Sequence, residues 1–66
     1  MTYALIVTTT IDGKQSSGWR HLRGDVTAAY AESEAKRMSA LPIVDYVHLE
    51  ISGRITDTYL NGEIVA

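Results

Sequence analysis

Cysteine is absent from this chain of 66 residues, and proline occurs only once. Without cysteine there is neither a disulfide framework nor a thiolate metal site, so the sequence suits a reducing compartment. An excess of positive charge is also absent, because six Lys and Arg residues oppose eight Asp and Glu residues and the net charge is −2. This balance excludes a strongly basic nucleic-acid binder and a wholly acidic mimic of DNA.

Long hydrophobic runs are lacking as well. The apolar run at residues 3–7 is far too short to span a bilayer, and no basic start with a cleavage site makes it a signal peptide. We therefore expect a cytoplasmic protein with no membrane association. A domain of this size buries only roughly 60% of the surface of its unfolded chain, so association with another molecule is the available way to add buried area.

Strand signals lie on both sides of one helical segment. Residues 2–11 are rich in β-branched side chains and end at the turn dipeptide Asp12-Gly13, and the polar stretch that follows can return as a short strand at residues 19–23. Three later segments also read as strands, since the first of them alternates apolar and polar side chains and Asn61-Gly62 is a strong hairpin signal. These segments are residues 43–52, 54–60 and 63–66.

Helical signals are confined to residues 25–41, which Pro42 closes. Asp25 is a good N-cap, because its carboxylate can accept hydrogen bonds from the unpaired amides of the first helical turn. Four apolar side chains fall on one stripe at about 100° per residue, flanked by Ala31, and Glu34 is interpreted as an edge residue of this stripe with its carboxylate in water. The stripe comprises Val26, Tyr30, Met38 and Leu41.

A single helix can cover only one face of a sheet. The sequence therefore predicts one α+β domain over residues 1–66, with an antiparallel sheet of four to five short strands covered on one face by a single helix, in the order β-β-α-β-β-β. The other sheet face must meet water, a second copy of the chain or a partner. That open face is one place to seek function.

The register of the hairpin after the helix is left open by the sequence. A two-residue loop at Ser52-Gly53 would place Tyr59 opposite Tyr46 on the open sheet face. A three-residue loop would instead bring Ile55 and Tyr59 into the core. The choice decides which face of the sheet carries the aromatic side chains.

Catalysis is not predicted, because the required groups do not converge. The chain has no cysteine nucleophile, no Gly-rich phosphate loop and no two histidines at ligand spacing. His48 and Asp57 face each other in the two-residue-loop register and are interpreted as a cross-strand surface pair, while His21 lies in a different element. We therefore expect a protein that is not an enzyme and that holds no metal and no cofactor.

The segment at residues 19–23 mixes an aromatic ring with cations. Trp19, Arg20, His21 and Arg23 have the composition of proteins that stack bases and pair phosphates. Our first interpretation is a strand that covers the margin of the core while its arginines are solvated. Direct nucleic-acid binding is the alternative.

Two further groups of side chains are candidates for partner binding. Tyr46 and Tyr59 can form an aromatic patch on the open sheet face, and tyrosine is favoured at interface centres because it buries much area and keeps a polar group. Lys36 and Arg37 lie in the last turns of the helix, where positive charge also suits the helix C-terminus. They are exposed cations that a partner can recognise.

Several segments of the chain together resemble a known class of protein. The strand at residues 3–7, the helical run at residues 34–38, the strand end at residues 50–53, and the final Tyr59 and Gly62 resemble the small phage-encoded anti-CRISPR proteins, in particular the type I-F inhibitors. The resemblance spans most of the chain.

The resemblance implies a non-enzymatic inhibitor that binds the backbone subunits of a CRISPR surveillance complex in the bacterial host and blocks hybridisation of target DNA. Lys36 and Arg37 are the positions that would carry these contacts. That family also has basic residues around its final hairpin, where this chain has Leu60, Glu63 and Ile64.

The sequence therefore predicts a protein-binding inhibitor of a larger bacterial protein complex, acting as a monomer or homodimer. The alternatives are a small nucleic-acid-binding module and a structural homo-oligomer that pairs through its open sheet face or an edge strand. The predicted contact residues, in order of preference, are Lys36, Arg37, Arg20, Arg23, Tyr46 and Tyr59.

Overall fold

The computed structural model describes residues 2–66, and they form the α+β arrangement that the sequence predicts. The elements are β1 (Tyr3–Ile11), β2 (Lys14–Leu22), α1 (Ala28–Ser39), β3 (Val44–Ile51), β4 (Arg54–Leu60) and β5 (Glu63–Ile64). All neighbouring strands are antiparallel, in the spatial order β2-β1-β3-β4-β5. The helix packs on one face of this sheet, mainly over β3 and β1.

Two-residue turns close all three hairpins. Asp12, Ser52 and Asn61 have φ values of 53°, 49° and 51°, and each is followed by a glycine that also has a positive φ. These are the values of a type I′ turn, whose twist matches that of the flanking strands. Pairing therefore resumes at once after the first turn, and β2 begins at Lys14 rather than at residue 19 as the sequence predicts.

The helix is shorter than predicted, and its N-cap is Thr27 rather than Asp25. Thr27 has an extended backbone, and its Oγ1 accepts a hydrogen bond from the amide of Tyr30 at 3.1 Å. A hydroxyl three residues before the amide fulfils the N-cap role, so Asp25 stays in the preceding loop. At the other end the helix stops at Ser39, before Pro42.

Small residues line the buried face of α1. Ala31, Ala35 and Ser39 are spaced four residues apart and are fully buried against the sheet. The predicted stripe is therefore partly wrong, since Tyr30 and Leu41 are 47% and 40% exposed. Small side chains let the helix approach the strands closely, which moves the large ones to its flanks.

The core lies between this helical face and one face of β1, β3 and β4. Val26 and Met38 of the predicted stripe do pack against it, as partly buried side chains. Its buried members are Tyr3, Leu5, Ala31, Ala35, Val44, Val47, Leu49 and Tyr59.

Ser39 fastens the end of the helix to the last hairpin. Its Oγ donates to the carbonyl oxygen of Lys36 at 3.0 Å and accepts a hydrogen bond from the amide of Gly62 at 2.9 Å. The β4–β5 turn is therefore held under the C-terminal end of α1.

A β-bulge in β4 sets which side chains face the helix. The β3–β4 turn has two residues, but the pairing shifts past Thr56, so that Tyr59 lies opposite Val47. The placement of Tyr59 opposite Tyr46 on the open face is therefore wrong. Tyr59 enters the core as in the three-residue-loop alternative, whereas Ile55 remains 53% exposed.

Candidate functional site

A carboxylate held between two arginines joins β2 to α1. Glu34 accepts hydrogen bonds from Arg37, at 2.8 Å from Nε to Oε2 and at 3.1 Å from Nη2 to Oε1, and Arg20 Nη2 lies 3.1 Å from the same Oε1. The Glu34 side chain is 12% exposed, against 43% for Arg20 and 56% for Arg37. Two cations around one covered carboxylate leave net positive charge at the surface.

The arginines hold the pKa of Glu34 below its ordinary value of 4.5. The hydrogen bond from Arg37 is the largest cause, desolvation opposes it, and the charges of Arg37 and Arg20 add to it. The same hydrogen bond, together with the charge of Glu34, raises the pKa of Arg37. Glu34 is thus an ion-paired residue rather than the solvated edge residue of the sequence interpretation, and its spacing of three residues from Arg37 was the available signal.

A groove of about 460 Å³ opens between the end of β2 and the beginning of α1. Arg20, Arg23 and Asp25 line it, and Tyr30 contributes a largely exposed ring. Among residues 2–66, Arg23 has no ion-pair partner. We call this feature, with the adjoining Arg37, the arginine groove.

The arginine groove has the chemistry of a recognition site. Arginine and tyrosine are enriched at the energetic centres of interfaces, because both cover much area and keep polar groups for hydrogen bonding. The planar guanidinium also matches a carboxylate or phosphate with two parallel hydrogen bonds. Of the two arginines that line the groove, Arg23 is the one without an ion-pair partner among residues 2–66.

The structure separates Lys36 from Arg37. Successive helical residues differ by about 100° around the axis, and only Arg37 turns toward β2 and joins Glu34. Lys36 is exposed, and its backbone lies beside the β4–β5 turn. The two side chains therefore do not form one contact patch, and Arg37 belongs with Arg20 and Arg23.

Strand alternation divides the mixed cluster at residues 19–23. Trp19 and His21 lie on the open sheet face, where their rings stack with centroids 6.1 Å apart and an interplanar angle of 17°. Arg20 lies opposite Leu5 on the helix side of the sheet. The rings and the cation of this strand therefore point to opposite sides of the molecule.

A second pair of rings lies on the open face. Tyr46 and His48 have ring centroids 5.1 Å apart, and His48 Nδ1 shares a hydrogen bond of 2.8 Å with Thr58 Oγ1. Because of the β4 bulge, His48 lies opposite Thr58, so its predicted pairing with Asp57 is wrong. Tyr46 is on the face where the sequence placed it.

The open face carries rings and few charges. Ile6 lies between Trp19 and His48 in the register, which makes a continuous row across three strands. Within residues 2–66, the Lys and Arg residues of the strands all occupy positions on the helix side; they are Lys14, Arg20 and Arg54. The open face thus lacks strand cations that could pair with phosphates.

Tyr59 is a core residue and not a contact residue. It is fully buried, and within residues 2–66 its hydroxyl has no hydrogen-bond partner. Burial raises the pKa of Tyr59 to about 12, with further contributions from the charges of Asp57 and Glu32. Asp57 lies near enough to act on the hydroxyl electrostatically, but without the geometry of a hydrogen bond.

Asp45 is a structural carboxylate that the sequence did not single out. It accepts hydrogen bonds from Thr10 Oγ1 and, at 3.1 Å, from Gln15 Nε2, and so links β3 to β1 and β2. These bonds, that of Thr10 first, hold the pKa of Asp45 below its ordinary value. The carboxylate of Asp45 therefore accepts its hydrogen bonds from residues of its own sheet.

Comparison with known proteins adds no relative. No protein-family model, no curated protein and no solved structure matches the chain. In the part of the chain that the structure describes, no helix is long and apolar enough to cross a membrane, and no three His, Asp or Glu side chains gather as potential metal ligands. The arginine groove is therefore assigned as the candidate site on its geometry alone.

Proposed function

We propose that the protein is a non-enzymatic inhibitor that binds a larger bacterial protein complex through the arginine groove and blocks its access to nucleic acid. This is the counter-defence role that the anti-CRISPR resemblance implies. The observation that carries the proposal is the guanidinium of Arg23, which has no ion-pair partner within residues 2–66 and lies beside the ion-paired Arg20 and the exposed Tyr30.

The partner surface is acidic. Arg23 can take a carboxylate with two hydrogen bonds, while Arg20 keeps its position because Glu34 holds it from the helix side. Tyr30 adds apolar area next to these charges. Complementary charge of this kind speeds the encounter and fixes the orientation of a small protein on a large one.

Reversing the charge of Arg23 tests the proposal. Arg23→Glu breaks no ion pair of the described chain, so we expect the fold to persist and partner affinity to fall about 30-fold or more, as for a central interface arginine. Arg54→Glu makes the same charge change three strands away from β2 and is the matched control. The readout is the plating efficiency of a phage on a host whose type I-F CRISPR system targets it.

Wild-type protein and Arg54→Glu are expected to restore plating, and Arg23→Glu is expected to fail. Full activity of Arg23→Glu would show that the arginine groove is not the partner-binding site. If the wild-type protein fails to restore phage plating at any expression level, the counter-defence role itself is refuted.

Lys36→Glu measures the contribution of the outer helix surface. We expect a smaller loss than for Arg23→Glu, because Lys36 lies outside the groove. A larger loss would move the contact surface to the exposed side of the helix, where the resemblance places it.

Direct nucleic-acid binding has less support from the structure. Trp19 lies on the sheet face opposite to that of Arg20, so it cannot stack on a base whose phosphate Arg20 pairs. We expect no shift of labelled single-stranded DNA by the protein at low salt, where such binding would be strongest.

A further inference from the structure

The strand β2 is an exposed and unprotected edge of the sheet. It pairs with β1 on one side only, over nine consecutive positions without a bulge or a proline. Natural edge strands are usually shortened, kinked or charged to prevent further pairing. The opposite edge follows this rule, since β5 has two residues and one of them is Glu63.

The outward backbone groups of β2 can be assigned from the β1–β3 contacts. The amide of Thr10 donates to the carbonyl of Ile43, and the carbonyl of Thr2 accepts from Ser52, so even-numbered residues of β1 face β3. Odd-numbered residues of β1 therefore bond β2, and their partners there are the even-numbered residues. The residues whose amides and carbonyls face away from the sheet are Gln15, Ser17, Trp19 and His21.

None of these four outward residues is a lysine, arginine, aspartate or glutamate. The cations of β2, Lys14 and Arg20, occupy the alternate positions on the helix side, and Glu34 draws Arg20 toward the helix. The edge thus presents a row of free backbone donors and acceptors, and the charged side chains of β2, which would deter pairing, are limited to Lys14 and Arg20.

We propose that two copies of the chain pair antiparallel through their β2 edges, with the two-fold axis at Gly18, to form one continuous sheet with five strands from each copy. In this register Gln15 lies opposite His21 of the second copy and Ser17 lies opposite Trp19. All four outward residues of each copy then form hydrogen-bonded pairs, and the full length of the nine-residue strand is used.

The side chains suit this symmetric register. Gly18 meets its own copy at the axis, so no bulky or charged side chain faces itself there. Trp19 is 57% exposed in the single chain, and in the pair it becomes a diagonal neighbour of Trp19 in the second copy, within reach of an aromatic ring. The pairing also covers part of a domain too small to bury most of its own surface.

The second copy is favoured over an unrelated peptide because the register is self-complementary over the whole strand. The proposal does not depend on the arginine groove or on its partner. If either the edge pairing or the partner binding is disproved, the other proposal is unaffected, because the two are tested by different variants.

Ser17→Pro tests the pairing. The Ser17 amide faces solvent in the single chain, so proline there removes no bond of the chain's own sheet, and proline is tolerated at such edge positions. The matched control is Ser17→Ala, which removes the same hydroxyl contact with Thr8 but keeps the amide. The measurement is sedimentation equilibrium over a wide range of protein concentration.

Wild-type protein and Ser17→Ala are expected to form dimers. Ser17→Pro is expected to raise the dissociation constant of the dimer at least about tenfold, since each copy loses one hydrogen-bond donor at the interface. A wild type that stays monomeric up to millimolar concentration overturns the proposal. A dimer that is equally strong in Ser17→Pro also overturns it, because the interface must then lie elsewhere.

Amide hydrogen exchange of the wild type gives a test that needs no variant. Amides of the odd-numbered β2 residues are expected to be protected at high concentration and to exchange freely on dilution. Amides of Ser16, Gly18 and Arg20 bond β1 and are expected to be protected at both concentrations. Free exchange of the odd-numbered amides at every concentration would contradict edge pairing.

Discussion

Glu34 is the residue on which the charged surface of the molecule depends. It sets the positions of Arg20 from the sheet and Arg37 from the helix, so a single carboxylate determines where two cations of the candidate site lie. In the sequence, its spacing of three residues from Arg37 points to one of these two contacts. Its effect arises because β2 brings Arg20 alongside the helix.

Acid should remove the stabilisation that Glu34 provides. Its pKa is lowered in the folded protein, so the carboxylate stabilises the fold above about pH 4.5, and this contribution is lost as the pH falls through the lowered value. We expect Glu34→Gln to have a lower thermal midpoint than wild type at pH 7, and the difference to shrink as the pH falls below 4.5 and through the lowered pKa of Glu34.

Glu32→Gln is the matched control for this series. Glu32 lies on the same helix and makes no ion pair within residues 2–66. A difference between wild type and Glu34→Gln that does not change anywhere in the acid range would show that the ion cluster does not contribute to stability.

The two parts of the Tyr59 side chain contribute differently to stability, because the ring stabilises the core and the hydroxyl does not. A buried hydroxyl without a partner costs roughly 1–3 kcal/mol, so Tyr59→Phe should leave the free energy of unfolding unchanged or raise it by about 1 kcal/mol. A fall of more than about 1 kcal/mol in urea unfolding would show that the hydroxyl has a partner.

The same variant has a signature at alkaline pH. The pKa of Tyr59 is raised to about 12, so the folded state retains the neutral phenol, and stability is lost as the pH rises from the ordinary value of 10.0 through 12. Tyr59→Phe should lose less stability than the wild type over this range. Equal losses would contradict the burial of the hydroxyl.

At the scale of elements, the end of the helix is fixed by one buried hydroxyl. Ser39→Ala leaves the amide of Gly62 without its acceptor, and we expect the free energy of unfolding to fall by about 1–3 kcal/mol. Ser33→Ala is the matched control, because the Ser33 hydroxyl also bonds a carbonyl three residues earlier but is exposed. Equal effects of the two changes in urea unfolding would rule out the tether.

The elements differ in how far the sequence predicts them. The turn at Asn61-Gly62 is predicted well, because a positive φ at adjacent residues is a local preference of those residue types. The length of β2 is predicted poorly, because its polar side chains carry no apolar alternation and its pairing depends on β1. The register of Tyr59 depends on an extra residue at Thr56, which alternation alone does not reveal.

The candidate site is predicted only in part, for the same reason. Arg20, Arg23 and Arg37 are candidates on composition, but their gathering around one groove requires the packing of α1 against the sheet. Lys36 and Arg37 are adjacent in sequence and separate in space. The mixed cluster at residues 19–23 is divided by the alternation of the strand.

For the whole molecule, three surfaces have different characters. The helix side carries the arginine groove, the open sheet face carries rings and no strand cations, and the β2 edge carries unpaired backbone groups. The proposed inhibitor binding would use the first surface, and the proposed self-association would use the third. A dimer would present two arginine grooves, one from each copy.

The proposed function is that this protein binds a nucleic-acid-guided complex and prevents that complex from binding its target. It is tested by measuring target-DNA binding by a purified type I-F surveillance complex that is titrated with the protein. We expect a loss of DNA binding that saturates at a fixed small number of protein molecules per complex, and no such loss with Arg23→Glu. Unchanged DNA binding in the presence of excess wild-type protein would refute the proposed function.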